Sequence, residues 1–232
     1  MIQRNDRDIY IVIGCGYFGL RAVRVIKNLP SRPLVIAVDK DRERLKAVTA
    51  LADRVHHGDG VQYLSELELT EPQAALCWVV PALPLHLAGA WLLHVLNGAG
   101  GTYTAEKHSV PQEFDPVGVL QHRTPGGTLF CSLGDFTCPE DCPEPEGYCH
   151  VTELSRPVPL YRILGETLCT GYRSLVVRSR LVLPGVGGYL FGDLLMLRAA
   201  LAIAGGSYLL STACTCHGVT DAISIRMRGR RC

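Results

Sequence analysis

Three glycines at fixed spacing carry the first recognisable chemistry in the chain. Gly14, Gly16 and Gly19 follow the apolar run Ile9–Ile13 and open a stretch whose apolar residues recur at helical spacing. In a strand–turn–helix unit the first glycine permits a tight turn and the second lets backbone N–H groups approach an anion. The third lets the helix pack closely on the strand. The unpaired amides and the dipole at the helix N-terminus attract phosphate without a basic side chain. Asp39 stands twenty residues beyond Gly19, at the end of a second apolar run, Leu34–Val38. A carboxylate there accepts both hydroxyls of a ribose and repels a 2′-phosphate, so the unit predicts NAD(H) rather than NADP(H). Glycines retained only for packing would predict no affinity.

Cysteine is the second reactive residue type, with ten in the chain. Cys138, Cys142 and Cys149 are spaced by four and seven, interleaved with three prolines and a glycine, a pattern that fits neither helix nor central strand. Cys214, Cys216 and His217 follow the apolar strand beginning at Ser207. If the two segments meet, three thiols from the loop and one of Cys214, Cys216 or His217 complete a four-ligand site. Tetrahedral Zn²⁺ and an iron–sulfur cluster both accept that set. The spacing matches neither a paired CxxC nor a ferredoxin run, so the metal is open, and a redox thiol pair or unrelated buried cysteines are the alternatives. Cys15, Cys77 and Cys169 read as small hydrophobes. His86 and His94, eight residues apart on one helix, read as ordinary helix histidines rather than a ligand pair, and Trp78, at the C-terminal end of a strand, as core rather than a wall for the nicotinamide. No general base with an orienting acid stands at a recognisable spacing, so no catalytic residue is assigned.

The elements that must hold these groups follow from periodicity. The predicted helices cover Tyr17 to about Asn28, Arg42–Leu51, the region near Val61–Leu67, and a segment from near Leu85. The strands between them are Ile9–Ile13, Leu34–Val38, Asp53–His57 and Ala75–Val80. Ala74–Leu96 lacks Asp, Glu, Lys and Arg over 23 residues, long enough to span a membrane. Pro81 and Pro84 divide it, however, into a buried parallel strand and its crossover helix. Asn97–Gly127 reads as a long loop or insert, and Thr128–Leu133 as the next strand of the sheet. Beyond the cysteines, Leu160–Leu164 ends a helix or loop, and Ser174–Leu183 reads as one strand. Pro184–Gly188 is a second glycine-rich turn, read as packing rather than as a phosphate site. Tyr189–Ile203 is an apolar helix, followed by strands to Cys214 and near Ala222–Ile225. The predicted fold is α/β: a Rossmann-like, doubly wound, mostly parallel sheet, with a cysteine-rich loop and a C-terminal strand–helix–strand extension. The expected divisions are 1–135 for the nucleotide domain, 136–156 for the loop and 157–232 for a C-terminal α/β portion, in the same sheet or as a small second domain.

Composition limits the partners. The chain has 232 residues, 47% hydrophobic and 19% charged, with a formal net charge of +1. That gives no electrostatic case for nucleic acid or an anionic membrane, and Arg226–Arg231 reads as a solvated tail. Arg4, Asp6, Arg7 and Asp8 precede the first apolar run, which is not a signal-peptide pattern, so a cytoplasmic location is expected. Clustered cysteines in that compartment suit metal or redox roles better than disulfides.

The segments Val12–Gly19, Val38–Leu45 and Val55–Gly60 resemble the nucleotide-binding RCK or KTN domains, the N-terminal domains of potassium-uptake regulators, over roughly the first 95 residues. The resemblance implies that Gly14, Gly16, Tyr17, Phe18, Gly19, Asp39, Lys40 and Asp59 contact the nucleotide. Asp59 would lie near the adenine, although it could equally be a helix N-cap. The resemblance also implies a homo-oligomer that senses NAD(H) and is read out by a membrane ion-transport subunit, with potassium transport as the process. The competing expectation is an NAD-dependent oxidoreductase that uses the Cys/His site.

Overall fold

The computed structural model describes residues 7–98 and 102–227. Arg4, Asp6 and the arginines after Met227 lie outside the described residues. Arg226 does not belong to a tail, because it pairs within the last strand.

Four strands form the parallel centre of the first sheet: β1 (Ile9–Ile13), β2 (Leu34–Asp39), β3 (Arg54–His57) and β4 (Cys77–Pro81), in the order β3-β2-β1-β4. They are joined by α1 (Tyr17–Lys27), by α2 (Arg42–Thr49), and by the pair α3 (Gly60–Ser65) and α4 (Glu71–Ala75). All of β1 is buried, with Ile9, Ile11 and Ile13 in one core and Tyr10 and Val12 in another. A strand covered on both faces reads as an uninterrupted apolar run, which explains why this part is visible in sequence. Trp78 is the second residue of β4, pairs with Tyr10 and stacks on its ring. It therefore lies at the start of the strand, not at its C-terminal end.

After β4 comes α5 (Leu87–Gly98), so Ala74–Leu96 divides at the prolines as read. Among the described residues no helix is long and apolar enough to cross a membrane. The segment expected as a loop holds two strands, β5 (Tyr103–His108) and β6 (Leu120–Arg123). Both belong to a second sheet with β7 (Leu129–Ser132), so the strand at 128–133 does not extend the first. The cysteine-rich segment carries only the two-residue strands β8 (Gly147–Tyr148) and β9 (Ser155–Arg156), followed by α6 (Leu160–Glu166).

The strand expected over Ser174–Leu183 is two strands, β10 (Arg173–Arg178) and β11 (Arg180–Leu183), which enter different sheets on either side of Ser179. The glycine-rich turn is the tip of a hairpin between β11 and β12 (Val186–Leu190), and that hairpin adds antiparallel strands beside β4. Helix α7 (Phe191–Ala204) then leads to β13 (Gly206–Ala213) and β14 (His217–Met227). The second sheet runs β10-β13-β14-β7-β6, with β5 also on β14. The architecture is thus mixed α/β with parallel and antiparallel pairing: the first sheet is parallel at its centre, and most of the C-terminal strands build a second sheet.

The two sheets share one core. Ile11 and Val79 from the first, Leu210 and Ile223 from the second, and Trp91 and Leu194 from α5 and α7 belong to a single buried cluster. Helices α1 and α2 cover the far face of the first sheet. Helix α6 and the segment around Phe114 cover the far face of the second.

Candidate functional site

The C-terminal ends of β1 to β4 enclose a cleft of about 410 Å³, lined among others by Gly14, Asp39, Arg44, Asp59, Ala82 and Leu85. Open α/β sheets bind ligands at this position. Gly14 takes φ +93°, and a Cβ there would lie 2.5 Å from the Ala82 carbonyl oxygen. At Gly19 a Cβ would lie 1.8 Å from the Gly14 carbonyl oxygen, so the helix packs on the turn only because residue 19 is glycine. Gly16 differs: a Cβ there would meet only Arg44 Nη1, at 3.9 Å. The space over Gly16 and the N-terminus of α1 is therefore open, and the residues present fit a pyrophosphate.

Asp39 organises the turn as well as facing the cleft. Its Oδ2 accepts the Cys15 N–H at 2.6 Å and its Oδ1 accepts the Asp41 N–H at 2.8 Å. A carboxylate has about four acceptor positions, so capacity remains for ribose hydroxyls. Asp59 caps α3, accepting from Val61 and Gln62 N–H at 2.8 and 3.0 Å. Its other oxygen pairs with Lys40 Nζ at 2.7 Å. The Lys40 contact, outweighing burial, holds the Asp59 carboxyl below its usual range. Lys40 and Asp59 both line the cleft.

Tyr17 and Phe18 sit elsewhere, each about two-thirds exposed. The Tyr17 hydroxyl donates to Glu140 Oε1, and Phe18 lines a second cleft of about 270 Å³. That cleft brings together Cys138, Cys142, Cys214, Cys216 and His217, so the two cysteine segments do meet. Arg21 of α1 holds the loop, donating to the carbonyls of Glu140, Pro184 and Gly185. Glu144 accepts the Thr215 N–H at 2.5 Å and ties the loop to the β13–β14 turn.

The sulfurs share one environment. Cys214 Sγ accepts N–H groups of Cys216 and His217 at 3.4 Å each, and Arg156 donates to Cys216 Sγ at 3.2 Å. Burial pushes the Cys138 thiol up, and the neighbouring Cys142, Cys216 and Cys149 sulfurs add to it. Burial takes Cys214 to about 12. At Cys149, hydrogen bonds from Thr152 and Val151 outweigh burial and lower the thiol. Cys138 Sγ lies 3.8 Å from His217 Nε2. The donor types suit a thiophilic ion, but among the described residues no three such side chains converge closely enough to hold one. Cys15 and Cys77 are buried, each pushed to about 12 by burial.

A further polar cluster escaped sequence reading. Asp221 is 2% exposed and lies on the face of β14 that meets α5. The partner strand of β14 changes there: Thr220 pairs with Leu129 of β7, and Ala222 with His108 of β5. Into that break Asp221 Oδ1 accepts from Lys107 Nζ at 2.8 Å and Thr128 Oγ1 at 2.7 Å, while Oδ2 accepts from His86 Nδ1 at 3.0 Å. His86 Nε2 meets Thr212 Oγ1 at 2.9 Å. Burial raises the Asp221 carboxyl, but the His86, Lys107 and Thr128 contacts prevail and hold it at about 2. Gly89, within α5, is required for this approach, since a Cβ would lie 2.9 Å from Asp221 Oδ2. His86 precedes α5, so it does not form a face with His94. The one available signal was Asp221 itself, a lone acid beside an apolar strand.

The chain is 24% identical to an uncharacterized protein of Archaeoglobus fulgidus over 233 residues, spanning 92% of this chain and 98% of that protein. No solved structure matches it. A family described as "Uncharacterized protein, C-terminal domain" (AF_1314_C) matches residues 88–226, a span holding the second sheet, the cysteine segment, Lys107, Thr128 and Asp221. That match covers more than half of the chain, and the chain belongs to this family.

Proposed function

We propose that the chain is an NAD(H)-binding regulatory protein with a Rossmann-like nucleotide fold of the RCK kind. The observation that carries this reading is the hydrogen bond from Cys15 N–H to Asp39 Oδ2, which joins the Gly14 turn and the ribose-binding acid at one cleft. The strand order β3-β2-β1-β4 and the open space over Gly16 support it. When NAD(H) is bound, the α1 amides would take the pyrophosphate, and Asp39 would take the adenosine ribose. Calorimetric titration of the full chain with NADH and NADPH tests the reading: NADH should bind, and NADPH should bind at least about tenfold more weakly.

The cysteine segment gives the regulatory half. It is fastened to α1 through Tyr17, Arg21 and Glu140, so a change in the sulfurs would act on the element that holds the phosphate. A Zn²⁺ ion or an iron–sulfur cluster would draw the sulfurs inward, and thiol oxidation would do so by another route. Either shifts a conformational equilibrium only through unequal affinity for its two states. By the resemblance to RCK domains, the protein would act in the cytoplasm as a homo-oligomer, read out by a membrane ion-transport subunit, with potassium transport as the process.

An enzymatic reading also has an observation in its favour. A third cleft, with Lys107 and Asp221 in its wall, adjoins the nucleotide cleft through Pro84 and Leu85. An NAD-dependent oxidoreductase would find its polar groups there, not at the Cys/His site.

A further inference from the structure

That third cleft, of about 360 Å³, is lined by Pro84, Leu85, Ala90, Leu93 and Phe130 around His86, Lys107, Thr124, Thr128 and Asp221. A buried carboxylate is costly to keep and contributes little net stability as an ion pair. Here it is retained with three donors, and a glycine in the first turn of α5, Gly89, leaves room for it. The arrangement fixes the Lys107 ammonium at the cleft, where its side chain is 34% exposed while those of His86 and Asp221 are buried. An ammonium has three N–H donors. Two go to Asp221 Oδ1 at 2.8 Å and Thr128 Oγ1 at 2.5 Å, which leaves one for an acceptor in the cleft. Because Asp221 balances the charge, the group that suits this donor is a neutral carbonyl oxygen on a flat apolar body, not a phosphate.

We propose that this cleft receives the nicotinamide ring of the dinucleotide, with Lys107 donating to the carboxamide oxygen. The proposal rests on the NAD(H) reading above. With the adenosine at Asp39 and the pyrophosphate at the Gly14 turn, the distal half of the ligand passes along the segment after β4. Pro84 and Leu85 of that segment wall both clefts. Apolar side chains face the ring, and the second sheet supplies its polar contact. Residues on two sheets would thus bind one ligand, with Lys107, Thr128 and Asp221 acting on the end that the glycine turn does not touch.

The test compares NADH with ADP-ribose, which lacks the nicotinamide, by calorimetry on the full chain. The wild-type protein should bind NADH about tenfold more tightly than ADP-ribose, the worth of one hydrogen bond from a charged donor. Lys107→Met should remove that gap while leaving ADP-ribose affinity unchanged, which also reports that the nucleotide cleft is folded. Ala90→Phe, which narrows the cleft from the α5 side while keeping Lys107 and Asp221, should give the same signature and stands in if the lysine variant does not fold. Equal affinity of the wild-type chain for both ligands overturns the nicotinamide site and leaves the nucleotide reading intact, as does a gap that persists in both variants. Failure of both ligands to bind overturns the nucleotide reading, and this proposal with it.

Discussion

Glu140 Oε2 lies 3.4 Å from Arg21 Nε, joining the cysteine-rich segment to the helix that begins at the glycine turn. Glu140 stands midway between Cys138 and Cys142, so the anchor and the sulfurs belong to one short stretch of chain. Such an exposed pair adds little to stability. Its consequence is geometric, because it fixes which surface of α1 the sulfurs face.

The close approach of that segment depends on Gly185, at φ +72°, where a Cβ would lie 1.6 Å from the Glu140 carbonyl oxygen. Gly185→Ala should therefore cost about 1–3 kcal/mol through backbone strain and the clash together. Chemical denaturation measures the loss. Faster labelling of Cys138 by a thiol reagent would locate it, and unchanged stability with unchanged labelling would mean that the segment does not dock there.

Asp39→Ala removes an acceptor from the ribose position and the partner of the Cys15 and Asp41 amides. NADH affinity should fall at least about tenfold, and discrimination against NADPH should shrink, since no carboxylate remains to repel a 2′-phosphate. Parallel titrations with the two ligands check this; unchanged affinity for both removes Asp39 from the site.

Asp221 should leave a mark on acid stability. Its carboxyl is held at about 2 in the folded chain, below its ordinary value of 3.8. A depressed folded-state value contributes fully above about pH 4, and the contribution, about 2 kcal/mol, disappears as pH falls towards 2. Denaturation curves of the wild-type chain should weaken across that interval. Asp221→Asn should start less stable and lack that part of the decline; an unaltered slope would show that other carboxylates carry it.

Cys142→Ser tests the sulfur cleft. The sulfurs as placed do not converge on an ion, so a bound metal has to draw them together; metal analysis and acid-labile sulfide on protein purified without oxygen should then show less metal per chain in the variant than in the wild type. Equal contents, or none in either, would leave thiol oxidation or simple packing as the role of these cysteines.

The sequence disclosed these parts unequally, for physical reasons. β1, β2 and β4 are buried on both faces and read as apolar runs, and the glycines at 14, 16 and 19 mark a turn that other residues cannot make. β5, Tyr103–His108, is half-exposed and carries Thr, Glu, Lys and His, so it looked like loop. The break at Ser179 carries neither glycine nor proline, and two strands of different sheets looked like one. The meeting of the Cys138 and Cys216 segments was suggested by residue type but stayed a condition, because no local pattern relates the two segments. The Asp221–His86 contact was not suggested, because its partners stand 135 residues apart and lie in elements that no local pattern relates.

The most direct test of the account is calorimetric titration of NADH into the full chain and into Gly16→Val. The valine would stand in open space beside Arg44, so the fold should persist while the pyrophosphate is excluded. The account predicts saturable binding of about one NADH per wild-type chain and none to a folded Gly16→Val chain. Absence of wild-type binding, or equal binding by both proteins, would contradict it.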